Sequence, residues 1–190
     1  MSRVLRDVVA LALLGIAVLA TPAHAASLSV CHGYGCQFRK SLTLSAADEK
    51  KLSSIMAAGA RSASAERKAM ASAIAFLEKR SVQVLGTRDF AKAALTGGGR
   101  VGQMDCIDES TNSTTFLKHM ASRDLLRHHR VEKPMSRGVM IDGRYPHWTA
   151  VISAKNGDKW AVDSWFEPGG GKPDIMPLPE WRKRGVGGQR

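Results

Sequence analysis

The chain has 190 residues and carries 28 Lys and Arg against 17 Asp and Glu, a formal charge of +11. Such an excess favours anionic surfaces such as lipid head groups, acidic glycans or nucleic acid. No zinc finger, single-strand-binding aromatic motif or basic helix accompanies it, so composition gives no case for a specific nucleic-acid partner.

Residues 1–25 have the layout of a cleavable secretory signal. Arg3 and Arg6 form a basic start, Val8 to Leu19 is an apolar run, Thr21-Pro22 breaks it, and Ala23-His24-Ala25 is a small–x–small cleavage pattern. The run is about a dozen residues, short of the roughly 20 that cross a bilayer, and no later segment could span one. The expectation is one exported domain over residues 26–190, periplasmic or secreted, with no transmembrane segment in the mature chain. Removing Arg3, Arg6 and Asp7 with the signal leaves 165 residues and takes +11 to +10. That length suffices for a single core.

Cys31, Cys36 and Cys106 then remain. In an oxidising compartment Cys31 and Cys36, separated by His32-Gly33-Tyr34-Gly35, are expected to close a small disulfide ring and leave Cys106 as a free thiol. Ser45 with Asp48 marks a helix start with Leu52, Ile55 and Met56 on one stripe. A second helix is expected from about Ala65 to Val84, its apolar stripe Met70, Ala73, Ile74 and Leu77. Gly97-Gly98-Gly99 reads as a flexible loop, since no Lys-Ser/Thr pair or preceding strand makes it a phosphate cradle.

A third helix is expected from Asp105 to about Leu126. Short strands follow it: Val139-Met140-Ile141 ending at Asp142-Gly143, His147 to Ala154, and Trp160 to Trp165. From Gly169 to Arg190 the composition suggests a tail wrapping the surface. Helices first and antiparallel strands afterwards predict an α+β fold with the N-terminal helices packed on a small antiparallel sheet. His119, His128 and His129 have no zinc-ligand spacing, and Arg127 and Arg130 bracket the last two, so a solvated basic face is expected. Neither a metal nor a cofactor is called for.

Chemistry concentrates at Cys106. A helix N-terminus favours thiolate and offers N–H groups to an oxyanion, whereas Asp105, Asp108 and Glu109 push the thiol pKa up. His147 is the partner that could outweigh them. In the His147–Ala154 and Trp160–Trp165 hairpin, a two-residue Asn156-Gly157 turn pairs Ala150 with Asp163 and puts the carboxylate on the apolar face. A three-residue Lys155-Asn156-Gly157 loop with Gly157 left-handed pairs Thr149 with Asp163 instead. Trp148, Ala150, Ile152, Trp160 and Val162 then share one face, and His147 and Asp163 are diagonal neighbours on the other.

Asp105-Cys106-Ile107-Asp108, His147-Trp148 and Trp160-Ala161-Val162-Asp163 together resemble the transglutaminase-like cysteine hydrolase superfamily, over residues 103–165. The resemblance implies a transglutaminase/papain-like core at about 100–168. It also implies a Cys-His-Asp triad acting on amide or peptide bonds, with Cys106 as nucleophile, His147 as general base and acid, and Asp163 orienting His147. Gln103 is a candidate second oxyanion donor. Substrates would be a peptide, a protein or, given export, peptidoglycan peptides. The rival reading is a non-catalytic basic periplasmic binding protein of the same fold that holds anionic envelope components.

Overall fold

The computed structural model describes residues 26–86, 89–90, 97–138 and 146–184. The signal segment and the Val139-Met140-Ile141 strand with its Asp142-Gly143 turn lie outside the described residues.

The mature chain opens on a hairpin that the sequence reading did not contain. β1 (Ala26–His32) pairs antiparallel with β2 (Phe38–Leu44), from Ala26 opposite Leu44 to His32 opposite Phe38. Leu28 and Val30 alternate with serines, and Leu42 and Leu44 alternate with Ser41 and Thr43, so each strand turns one apolar row inward. The Cys31–Cys36 disulfide closes the tip, as expected. The tip needs left-handed backbone at four successive positions from Gly33 to Cys36, and two glycines carry half of that demand.

α1 (Ala46–Ala57) begins with the anticipated capping box, Ser45 and Asp48 each accepting the other's backbone N–H. α2 (Ala63–Leu85) is capped by Ser62 and by Gly86 at φ 76°, starting two residues before the expected Ala65 and ending one after the expected Val84. α3 (Cys106–Ser122) stops short of the expected Leu126. Asp124 is left-handed and the Leu125 N–H returns to the Met120 carbonyl, a six-to-one closure that ends the helix.

The main sheet is antiparallel throughout. β5 (His147–Ala154) pairs with β6 (Lys159–Asp163), and β6 pairs with β7 (Asp174–Pro177). The other edge of β5 is shared by β3 (His129–Val131) along its second half and β4 (Met135–Arg137) along its first. Val151 opposes Ala161, which is the register that places Thr149 opposite Asp163. Gly157 is left-handed at φ 90° in a three-residue connection whose flanking Ala154 N–H meets the Asp158 carbonyl. The α+β class therefore holds, with two antiparallel sheets and four helices among the described residues.

From Gly169 to Arg184, the described part of the expected tail, the chain is not a surface wrap. It supplies β7 and then α4 (Leu178–Lys183). The reason lies in β5 and β6, both of whose faces are apolar. Ala150, Ile152 and Val162 join the α2–α3 core, while Val151 and Ala161 on the reverse face are covered by Met176, Leu178 and Trp181. An indole buried this completely stabilises by a few kcal/mol, enough to dock a six-residue helix that would not form alone.

Candidate active site

Cys106 is the first residue of α3. Asp105 caps that helix, its Oδ1 accepting the N–H groups of Ile107 at 3.1 Å and Asp108 at 2.9 Å. The flanking acids have a second task that the sequence did not suggest. Asp108 accepts the N–H groups of Tyr34 (2.7 Å) and Cys36 (2.6 Å), and Asp105 accepts that of Gly35 (3.1 Å). Two carboxylates thus grip the disulfide loop through its own backbone. Asn112, two turns along α3, completes the grip by bonding both the N–H and the carbonyl of Cys31. The triple-glycine loop is tied down as well. The Gly97 N–H meets the Tyr34 hydroxyl and the Gly99 N–H meets the Gly33 carbonyl, and a Cβ on Gly97 would lie 2.8 Å from the Tyr34 oxygen.

The Cys106 thiol is free and buried, its sulfur 4.0 Å from the Pro146 carbonyl oxygen at the entry to β5. Burial pushes its pKa up to about 11, with Asp105 and Asp163 adding to the rise. Hydrogen bonding from the Trp148 backbone and from its own backbone opposes it. Burial dominates, and it holds the resting thiol in its neutral form.

His147 opens β5 and is buried. Its Nε2 lies 2.8 Å from Asp163 Oδ2. A carboxylate can only accept, so Nε2 carries a ring proton, and it is Nδ1 that holds the lone pair whenever the ring is neutral. Nδ1 has no hydrogen-bond partner among the described residues. The ring stacks on Trp165 at 4.7 Å, with Phe166 and Trp181 tilted against it. Asp163 accepts twice more, from the Trp181 indole N–H at 2.7 Å and the Trp165 backbone N–H at 3.3 Å. Trp181 is in turn held from outside by Arg137, which lies over its ring and donates to its carbonyl.

Gln103 is buried in the loop before α3. Its amide oxygen accepts the Phe90 N–H at 3.2 Å and its carbonyl accepts the Gly33 N–H at 2.7 Å. Behind the thiol lies a feature that hydropathy could not flag. Glu78 of α2, Glu109 of α3 and Asp89 surround a small pocket beside Met104, Asn112 and Gly169. Desolvation raises Glu78 to about 8 and Asp89 to about 7, and lifts Glu109 well above the carboxylate range. Glu78 holds the Gly170 N–H and Asp89 the Met104 N–H, so these acids tie down the loops on either side of Cys106 and Asp163.

The histidines of the expected basic face divide. Arg127 and Arg130 are exposed, but His129 is buried against Glu66, and His119 is buried with its Nε2 3.0 Å from Glu49. Among the described residues the one group at metal-ligand distance is Cys31, Cys36 and Asp108, whose two sulfurs are bonded to each other. None of the described helices is long and apolar enough to cross a membrane. No protein-family model, curated protein or solved structure matches the chain.

Proposed function

We propose that the chain is an exported thiol hydrolase or acyltransferase acting on amide or peptide bonds, with Cys106, His147 and Asp163 as its triad. The observation that carries the reading is the state of His147. It is a buried imidazole with one nitrogen committed to a carboxylate and the other unpartnered, on the strand whose entry touches a helix-start thiol.

In this reading the neutral thiol gives its proton to His147 Nδ1 as the sulfur attacks the substrate carbonyl carbon. The carbonyl π pair moves onto oxygen, which the Cys106 N–H receives, since Asp105 already takes the Ile107 and Asp108 N–H groups, with Gln103 as second donor. The imidazolium, stabilised by Asp163, returns the proton to the departing amine as the C–N bond breaks and a thioester forms. Water or a second amine, deprotonated by Nδ1, then releases the acyl group. Hydrolysis and acyl transfer share these steps up to the thioester. Peptidoglycan peptides and envelope proteins are the substrates that export implies, and N-terminal sequencing of secreted protein, reading Ala26, tests export itself.

A thiol raised to about 11 favours the second reading, a basic binding protein of the same fold. An amide-mimicking thiol probe separates them. Labelling at Cys106 that is lost in both Cys106→Ala and His147→Ala supports the enzyme. Labelling indifferent to His147, with salt-sensitive retention on anionic polymers, supports the binding protein.

A further inference from the structure

At the hairpin end of β5, seven residues and roughly 23 Å of strand from His147, a groove of about 360 Å³ opens on the surface. Its walls are Ala63 and Arg67 of α2, His128, and Lys155, Asp158 and Trp160 of the β5–β6 hairpin. Arg67 is held there by an arrangement more elaborate than packing requires. Its guanidinium carbon stands 3.5 Å from the Trp160 ring centroid, and its Nη1 lies 3.1 Å from His129 Nε2.

His129 is itself fixed from behind, with Nδ1 3.0 Å from Glu66 Oε1. Glu66 is buried and accepts the N–H groups of Arg127, His128 and His129 as well. The carboxylate places the imidazole proton on Nδ1, so Nε2 is an acceptor for one Arg67 N–H. Burial lowers the His129 pKa, which keeps the ring neutral and the acceptor available.

One of five guanidinium N–H groups is spent in this way. None of the ion pairs among the described residues involves Arg67. A partly desolvated cation with a fixed plane and no ion-pair partner among the described residues is costly in a fold unless something arrives to meet it. The rest of the groove favours an anion. Lys155 adds a positive charge, and the first-turn N–H groups of α2 at Ala63 add the positive end of a 23-residue helix. Asp158 is the one acid on the wall, and its carboxylate accepts from Asn156 Nδ2 at 2.8 Å.

We propose that this groove is a receptor for an oxyanion, a carboxylate or phosphate group borne by a small ligand or a chain terminus, with Arg67 as its forked donor. Trp160 and the Glu66–His129 pair set the plane of the fork, and Lys155 supplies long-range attraction. The site is independent of the Cys106 chemistry.

The test is an NMR titration of the full chain with inorganic phosphate and, separately, N-acetylglycine. The signals followed are the Trp160 indole N–H and the Arg67 Nε–H. Saturable shifts of both are expected, and the anion that binds more tightly identifies phosphate or carboxylate as the natural group. Arg67→Lys keeps the charge but loses the planar fork and should weaken binding by about tenfold or more. Lys155→Glu, on the exposed turn, should weaken it through charge alone while leaving the Trp160 signal of the free protein in place. Absence of saturation with either anion overturns the proposal, as does Arg67→Lys binding like the parent. If Arg67→Lys does not fold, unchanged binding in Lys155→Glu overturns it instead.

Discussion

Replacing Glu78 with Gln should remove most of one acid's contribution to the pH dependence of stability. Glu78 lies between α2, α3 and the 164–171 loop, facing Glu109 and Asp89, and no lysine or arginine lines its pocket. Burial lifts it from 4.5 to about 8. A carboxyl raised in the folded state contributes stability that is complete below the unfolded value near 4.5 and is lost as pH rises through about 8. Over that window the unfolded chain has released a proton that the folded chain keeps. Each pH unit then costs up to about 1.4 kcal/mol for this group, roughly 4–5 kcal/mol across the whole window. Glutamine has the shape of the neutral acid and retains an oxygen for the Gly170 N–H, so Glu78→Gln should flatten the curve and be the more stable form near pH 8. Urea denaturation at intervals from pH 4.5 to 8.5, with the disulfide intact, measures both slopes. Equal slopes in parent and variant, or parent stability that climbs with pH across this range, would refute the assignment of a buried neutral acid.

Alkylation of Cys106 should accelerate with pH well beyond neutrality, as a thiol pushed up to about 11 requires. A rate profile already level at pH 7 would show a stable thiolate–imidazolium pair instead. Trp181→Ala should cost about 3–5 kcal/mol by melting, because it empties the smaller core. Trp181→Phe keeps most of that packing but removes the donor to Asp163, so its larger effect should fall on His147-dependent labelling of Cys106; equal labelling in parent and variant counts against a role at the His–Asp pair. Cys31→Ser with Cys36→Ser should lower stability by about 2 kcal/mol through loop-closure entropy, read from the urea midpoint. Under denaturing, non-reducing conditions mass spectrometry should find Cys106 as the single alkylatable thiol.

Local rules reached a large part of this molecule. The α1 capping box, the extents of α2 and the β5–β6 register each follow from side chains within a few residues of one another, and periodicity captures such signals. The disulfide followed from spacing, and the pairing of His147 with Asp163 followed from a register argument with one physically sound core. What was missed depends on distant partners. The β1–β2 hairpin has seven-residue strands in which serines, Arg39 and Lys40 interrupt the apolar residues, and Leu28, Val30, Leu42 and Leu44 make one buried row only against α2 and α3. The tail looked like coil because Gly and Pro dominate its first half, whereas the apolar reverse face of β5 and β6 decides its fold. Asp105 and Asp108 were weighed as charges near a thiol, and nothing local revealed that they bind the backbone of residues 34–36. The acids at 78, 89 and 109 lie on three separate segments and come together only when the chain is folded.

The placement of Trp181 makes the setting of the His–Asp pair depend on α4. His147 and Asp163 meet within one hairpin, yet the indole that also bonds Asp163 Oδ2 is 18 residues further on, in a six-residue helix held by its own buried side chains. Opening confined to α4 would admit water to the reverse face of the pair while β5 and β6 stay bonded, so any reactivity that depends on a dry His–Asp pair is lost before the sheet is.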